Sequence, residues 1–196
     1  MLFRSLLDVS TGGELHVALA AGVPASACVL HGNNKSDEEL RFAIGVGVGR
    51  IVVDSFDELD RLEAAHHDAV GPTPDVLIRV TPGVHAHTHE FISTGQDDSK
   101  FGFNLGNGDA SRAVARAAAS GAVNLVGTHC HIGSNVFRAD SFAQAAEVMA
   151  AFAAEVDLPQ LVLGGGLGVA YTADEEAPSI STWASVLLEA CRTLGV

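Results

Sequence analysis

The side chains able to do chemistry stand at the ends of short apolar runs. His129 and His131 flank Cys130 in Thr-His-Cys-His-Ile-Gly-Ser at 128–134. Alternate residues of a strand share a face, so the two imidazoles point the same way. There an imidazole can stack on a flat heteroaromatic ring, bind a metal or carry a proton, or it is a satisfied core histidine. Ser134, next to Gly133, puts a hydroxyl within reach of a phosphate. Gly164, Gly165 and Gly166 follow another apolar run. Backbone N–H groups without side chains suit a phosphate, and a plain tight turn is the competing reading. A dinucleotide fingerprint would run into a helix, and the residues after Gly168 do not open one. Arg79 ends an apolar run, where a buried cation needs an anionic partner. Asp8 and Asn33 are the other polar strand-end groups.

His85, His87 and His89 alternate and would share one face of a strand, as in a metal site. Pro82 and Gly83 before them favour a loop instead. The chain has two lysines, Lys35 and Lys100, and each is readable as a surface residue.

These groups need a frame. Apolar runs at 6–11, 28–31, 50–55, 75–80, 124–131 and 160–163 read as strands buried on both faces. Segments 14–21, 36–46, 55–66, 109–120, 140–156 and 181–194 carry apolar residues at helical spacing. Ser36 with Glu39 and Ser55 with Glu58 fit the capping box. Strand and helix alternate without hairpins, so the sheet is expected to be parallel. This rhythm suits a (β/α)8 barrel and a doubly wound sheet equally. Polar residues at successive strand C-terminal ends favour the barrel, where those ends share one mouth. Six strands against the eight of a closed barrel predict an incomplete TIM (β/α)8 barrel occupying 1–196 as one domain. The longest irregular stretch, 81–109, is a candidate active-site loop.

The 196 residues are 47% hydrophobic, too apolar for a disordered chain. A formal net charge of −13 argues against nucleic acid and anionic lipid as partners. No apolar run reaches about 18 residues, so no membrane span is expected. The first residues turn polar too soon for a signal peptide. Cys28, Cys130 and Cys191 are odd in number and scattered, matching neither a disulfide framework nor a zinc pattern. A cytoplasmic protein is the expectation.

Five segments, in order and spacing, resemble one family. They are Leu-His-Gly-Asn-Asn-Lys-Ser at 30–36, His-Thr-His-Glu-Phe-Ile-Ser-Thr-Gly at 87–95, Ser-Lys-Phe-Gly at 99–102, His-Cys-His-Ile-Gly-Ser at 129–134 and Leu-Gly-Gly-Gly-Leu-Gly at 163–168. The family is the fold-type III decarboxylases dependent on pyridoxal 5'-phosphate (PLP), in particular the diaminopimelate decarboxylases. The resemblance implies an alanine racemase-like PLP-binding barrel, a homodimer and conversion of meso-2,6-diaminoheptanedioate to L-lysine. By the same resemblance His131 stacks on the cofactor ring. Ser134, Gly164, Gly165 and Gly166 hold its phosphate, and Asp8 and Arg79 stand near the ring. Lys100 lies near the subunit interface, with 95–100 lining the substrate entrance.

The departures are as informative. The family's Schiff-base lysine belongs to a Tyr-Ala-x-Lys strand upstream of Asp8, and none of the seven residues before Asp8 is lysine. The Glu-Pro-Gly-Arg segment and the C-terminal β-domain are not found. The expectation is an internal fragment of the barrel domain that carries no catalytic residue of its own and shows little or no activity. Alternatives are an ornithine, arginine or carboxynorspermidine decarboxylase, a metal-dependent barrel hydrolase using the histidines, or a non-catalytic remnant that binds phosphate compounds.

Overall fold

The computed structural model describes residues 6–68, 71–84, 100–172 and 176–195. The chain divides into two compact units. The first takes 1–78 and 112–126, and the second takes 79–111 and 127–196.

In the first unit β1 (Leu7–Val9), β2 (Cys28–Leu30), β3 (Arg50–Val53) and the start of β4 (Asp75–Thr81) pair in sequence order. All pairs are parallel, with Asp8 opposite Val29 and Val52 opposite Leu77. Strands β2, β3 and β4 are buried on both faces, as their unbroken apolar runs require, whereas β1, an end strand of the sheet, buries only Val9 and does not meet that expectation. Val29, Val52 and Leu77 form one cluster with Val126 against it. Cys28, Leu30, Ile51, Val53, Val76 and Ile78 are equally buried. Burial of each such large side chain is worth roughly 1.5–3 kcal/mol.

Helices α1 (Gly12–Ala20), α2 (Asp37–Val46) and α3 (Phe56–Asp68) follow the first three strands, and α4 (Asp109–Ala119) precedes β6 (Asn124–Cys130). Helix α1 begins two residues ahead of the expected start, despite two glycines. Thr11 accepts a hydrogen bond from the Glu14 N–H, and the Glu39 carboxylate takes the Gly12 N–H at 2.7 Å. The Ser36/Glu39 capping box forms in full, and Gly47 ends α2 in the left-handed region at φ 70°. The second box forms only in part. Ser55 Oγ accepts from the Glu58 N–H at 3.1 Å, but the Glu58 carboxylate serves Lys35 and the Asp54 N–H.

In the second unit the end of β6 pairs in parallel with β7 (Gln160–Leu163), setting His129 opposite Val162 and Cys130 opposite Leu163. The irregular stretch 81–109 contains a two-residue strand, β5 (Phe103–Asn104), parallel to the end of β4. A strand this short leaves no periodic trace in sequence. Helix α5 (Ala139–Val156) packs on α6 (Ile180–Leu194). Val84, Ile132, Val136, Phe142 and Ala145 are the core between them and the strand ends. Phe142 meets Trp183 edge to face, with centroids 5.9 Å apart. Among the described residues no helix is long and apolar enough to cross a membrane.

Candidate functional site

The site begins where β6 and β7 end. Parallel pairing continues past both strands: the Gly164 N–H donates to the Cys130 carbonyl at 2.8 Å, and the Val136 N–H donates to the Gly166 carbonyl at 2.9 Å. The Gly168 N–H returns to the Val136 carbonyl at 2.8 Å. The two post-strand loops therefore lie side by side, and the glycines are what let them. A Cβ on Gly166 would fall 1.9 Å from the Gly133 carbonyl oxygen, and its φ of +100° is disfavoured for any other residue. A Cβ on Gly164 would sit 2.7 Å from Nδ1 of His131. His131 therefore has its imidazole edge against the glycine turn, with its Cε1 3.2 Å from where a Gly166 side chain would start. Gly165 is the exception, since a Cβ there would meet nothing within 4 Å.

Ser134 lies in the β6 loop with its side chain exposed, between Gly133 and Asn135. Asn135 adopts φ 58° and its side-chain oxygen accepts from the Val169 N–H at 3.3 Å. Sequence reasoning left this loop-to-loop tie unmarked; a lone asparagine after Gly-Ser is no signal in itself. Of the three glycine N–H groups, that of Gly164 is committed to the sheet. Behind His131 the Cys130 thiol is buried, which pushes its pKa up to about 12. The Gly164 N–H and the Arg79 charge pull the other way but do not win. Cys130 is thus an inert core thiol rather than a nucleophile.

Arg79, in the second half of β4, is 8% exposed. Its guanidinium carbon lies 4.5 Å from the centroid of the Phe101 ring, and Lys100 Nζ lies 5.2 Å from the same ring. A buried cation at a strand end led sequence reasoning to an anion; an aromatic face is one of its partners.

The first unit places Asp8 and His31 together, with Asp8 Oδ1 3.3 Å from His31 Nε2. It also corrects the surface reading of Lys35. The Lys35 and Glu58 side chains are each 1% exposed and 2.6 Å apart. Lys35 Nζ also donates to the carbonyls of Gly32 at 2.6 Å and Val52 at 2.7 Å. Burial raises the Glu58 pKa, and Lys35 offsets part of that rise. The ammonium thus ties the loop after β2 to β3 and α3. Its sequence neighbours, Gly and Asn, carry no hint of burial; the clue was Glu58 at the start of a helix one βα unit later.

Among the described residues no three His, Cys, Asp or Glu side chains gather as a metal site. His85, His87 and His89, with 95–99 of the expected entrance, lie outside the described residues.

Parallel strands, helical returns and a glycine turn beside an imidazole at the strand ends define part of a (β/α)8 barrel of the kind that receives a phosphorylated cofactor. The chain belongs to the pyridoxal-dependent decarboxylases: residues 5–194 match the pyridoxal binding domain of that family. It is 45% identical over 196 residues to diaminopimelate decarboxylase of Bacillus subtilis (strain 168), covering 95% of this chain and 44% of that protein. It resembles the crystal structure of diaminopimelate decarboxylase from M. jannaschii with TM-score 0.88 and 32% identity, over 98% of this chain and 45% of the other. The structure of that enzyme in co-complex with L-lysine gives TM-score 0.86 and 33% identity, over 96% and 44%. The chain thus spans less than half the length of these relatives.

Proposed function

We propose that this chain forms the ring- and phosphate-facing part of a diaminopimelate decarboxylase, which releases CO2 from meso-2,6-diaminoheptanedioate and leaves L-lysine. The supporting relatives carry that name, and one of them was crystallised with L-lysine. The observation that carries the site is the contact of His131 with the Gly164–Gly166 turn, because it sets an imidazole edge beside bare backbone.

Pyridoxal phosphate suits these residues. The open side at Gly165 leaves room beside backbone N–H groups, and the exposed Ser134 hydroxyl can join them in taking a phosphate. Gly164 is bare so that the Nδ1–Cε1 edge of His131 can abut the turn, which leaves the imidazole face for the pyridine ring. Arg79 contributes a fixed cation. When bound, the cofactor supplies an electron sink for the charge left when the carboxylate departs. The chain's own part is to hold the phosphate, orient the ring and keep water from one of its faces. Asp8, held by His31, is assigned to the cofactor on the family resemblance alone.

Neither lysine of the chain is offered as the covalent anchor: Lys35 is committed to Glu58, and Lys100 is assigned to a homodimer interface. The isolated chain is therefore expected to release little or no CO2. Buried free thiols at Cys28 and Cys130 suit a reducing cytoplasm.

A transplant tests the reading. The matching segment of the Bacillus subtilis enzyme is replaced by this chain, and CO2 release is measured with meso-2,6-diaminoheptanedioate, ornithine, arginine and carboxynorspermidine. Activity confined to the first substrate is the expected result. A folded, PLP-loaded chimera that prefers another substrate would overturn the substrate assignment.

A further inference from the structure

We infer that Phe101 is a positioning residue for Arg79, its ring holding the guanidinium in the one orientation that serves the cofactor site, an inference whose functional half rests on the reading above.

Three observations converge on the pair. The first is the ring contact, with the Arg79 guanidinium carbon 4.5 Å from the Phe101 centroid. Arg79 is 8% exposed, so the contact is largely removed from water, where the attraction between a cation and a ring face is strongest.

The second is how the ring is anchored. The Thr81 hydroxyl donates to the Phe101 carbonyl. Two residues on, Phe103 pairs with Val80 and Asn104 with Thr81, and the Leu105 N–H donates to the Thr81 carbonyl at 3.1 Å. The strand that carries Arg79 thus also fixes the backbone of Phe101. Ring and guanidinium are held in register by one element.

The third is the turn between them. Gly102 has φ +72°, and a Cβ there would lie 2.8 Å from the Arg79 carbonyl oxygen and 3.1 Å from Arg79 Cγ. Only glycine lets the chain pass close enough for the ring to reach the guanidinium. The arginine side chain has many rotamers when unrestrained, and a ring face selects among them without neutralising the charge. Lys100, 5.2 Å from the same ring, is the exposed and weaker of its two cations.

The test uses the 196-residue chain. Labelling of Arg79 by phenylglyoxal is followed by peptide mass spectrometry in the wild type, Phe101→Leu and Phe101→Tyr. Leucine keeps apolar bulk and loses the ring; tyrosine restores the ring. Labelling of Arg79 is expected to speed up about tenfold in Phe101→Leu and to stay within about twofold of wild type in Phe101→Tyr. The other arginines should be unaffected. PLP affinity is measured in the same proteins and in Arg79→Met. Phe101→Leu should weaken binding on its own and add nothing in the Arg79→Met background.

Equal labelling of Arg79 in Phe101→Leu and wild type would overturn the inference. If PLP does not bind the wild type while labelling still responds to Phe101, the cofactor reading fails and the positioning stands. If Phe101→Leu does not fold, the wild type decides by NMR. A ring-current upfield shift of the Arg79 Nε–H is expected, and an unshifted resonance contradicts the contact.

Discussion

The imidazole of His131 lies so close to Gly164 that a single added carbon on the glycine would sit 2.7 Å from Nδ1. His131 directly follows β6 and Gly164 directly follows β7, and the sheet register that places Cys130 opposite Leu163 brings them together. The contact is thus a product of the fold rather than of a local sequence motif. It also makes the three neighbouring glycines unequal, which can be measured.

Gly166→Ala forces φ +100° on a residue with a side chain and drives its Cβ into the Gly133 carbonyl. The expected loss is about 1–3 kcal/mol from backbone strain, with the clash adding to it. Gly164→Ala displaces His131 and the Cys130 carbonyl and should cost a similar amount. Gly165→Ala meets no atom within 4 Å and should stay within about 0.5 kcal/mol of wild type. Urea unfolding of the three variants checks the order. Equal losses at 164, 165 and 166 would contradict the loop geometry.

Lys35→Met leaves the Glu58 carboxylate buried without its cation. Removing one partner of such a pair typically costs about 3–5 kcal/mol, and adding Glu58→Gln should recover part of it. The loss should grow as pH rises above the ordinary carboxylate value of 4.5. A carboxyl whose folded pKa is raised contributes fully when protonated and loses that contribution as pH climbs through the folded value. In the wild type an amine-reactive ester should modify Lys100 and spare Lys35 until the chain unfolds.

Glu39 behaves in the opposite sense. N–H groups of Gly12 and Ser36 hydrogen-bond its carboxylate and hold its pKa below the usual 4.5. A lowered carboxylate stabilises the fold above 4.5 and loses that contribution as pH falls through the folded value. Glu39→Gln should therefore cost roughly 1 kcal/mol at pH 7 and progressively less as the medium is acidified toward pH 3. A difference that stays constant with pH would show that the charge is not what the two N–H groups recognise.

Strand and helix positions were legible because each run obeyed one period and ended in turn residues. The runs at 28–31 and 160–163 became β2 and β7, and Ser36 announced α2 in full. The fate of Glu58 was not legible, because a capping box and a buried ion pair draw on the same carboxylate and only the tertiary fold decides between them. Strand β5 escaped for want of length. The glycine turn was visible as a phosphate candidate, but its contact with His131 depends on pairing across more than thirty residues. Phe101 was passed over because an aromatic beside a lysine reads as ordinary surface until Arg79 is found beneath it.

The central claim is that His131 and the glycine turn together receive pyridoxal phosphate. Its most direct test is a PLP titration of the chain followed by 31P NMR, with His131→Ala and Gly166→Ala alongside the wild type. One saturable site in the wild type is predicted, with affinity reduced about tenfold or more in both variants through loss of stacking and of the turn. Binding that is absent from the folded wild type, or that survives unchanged in both variants, would contradict it.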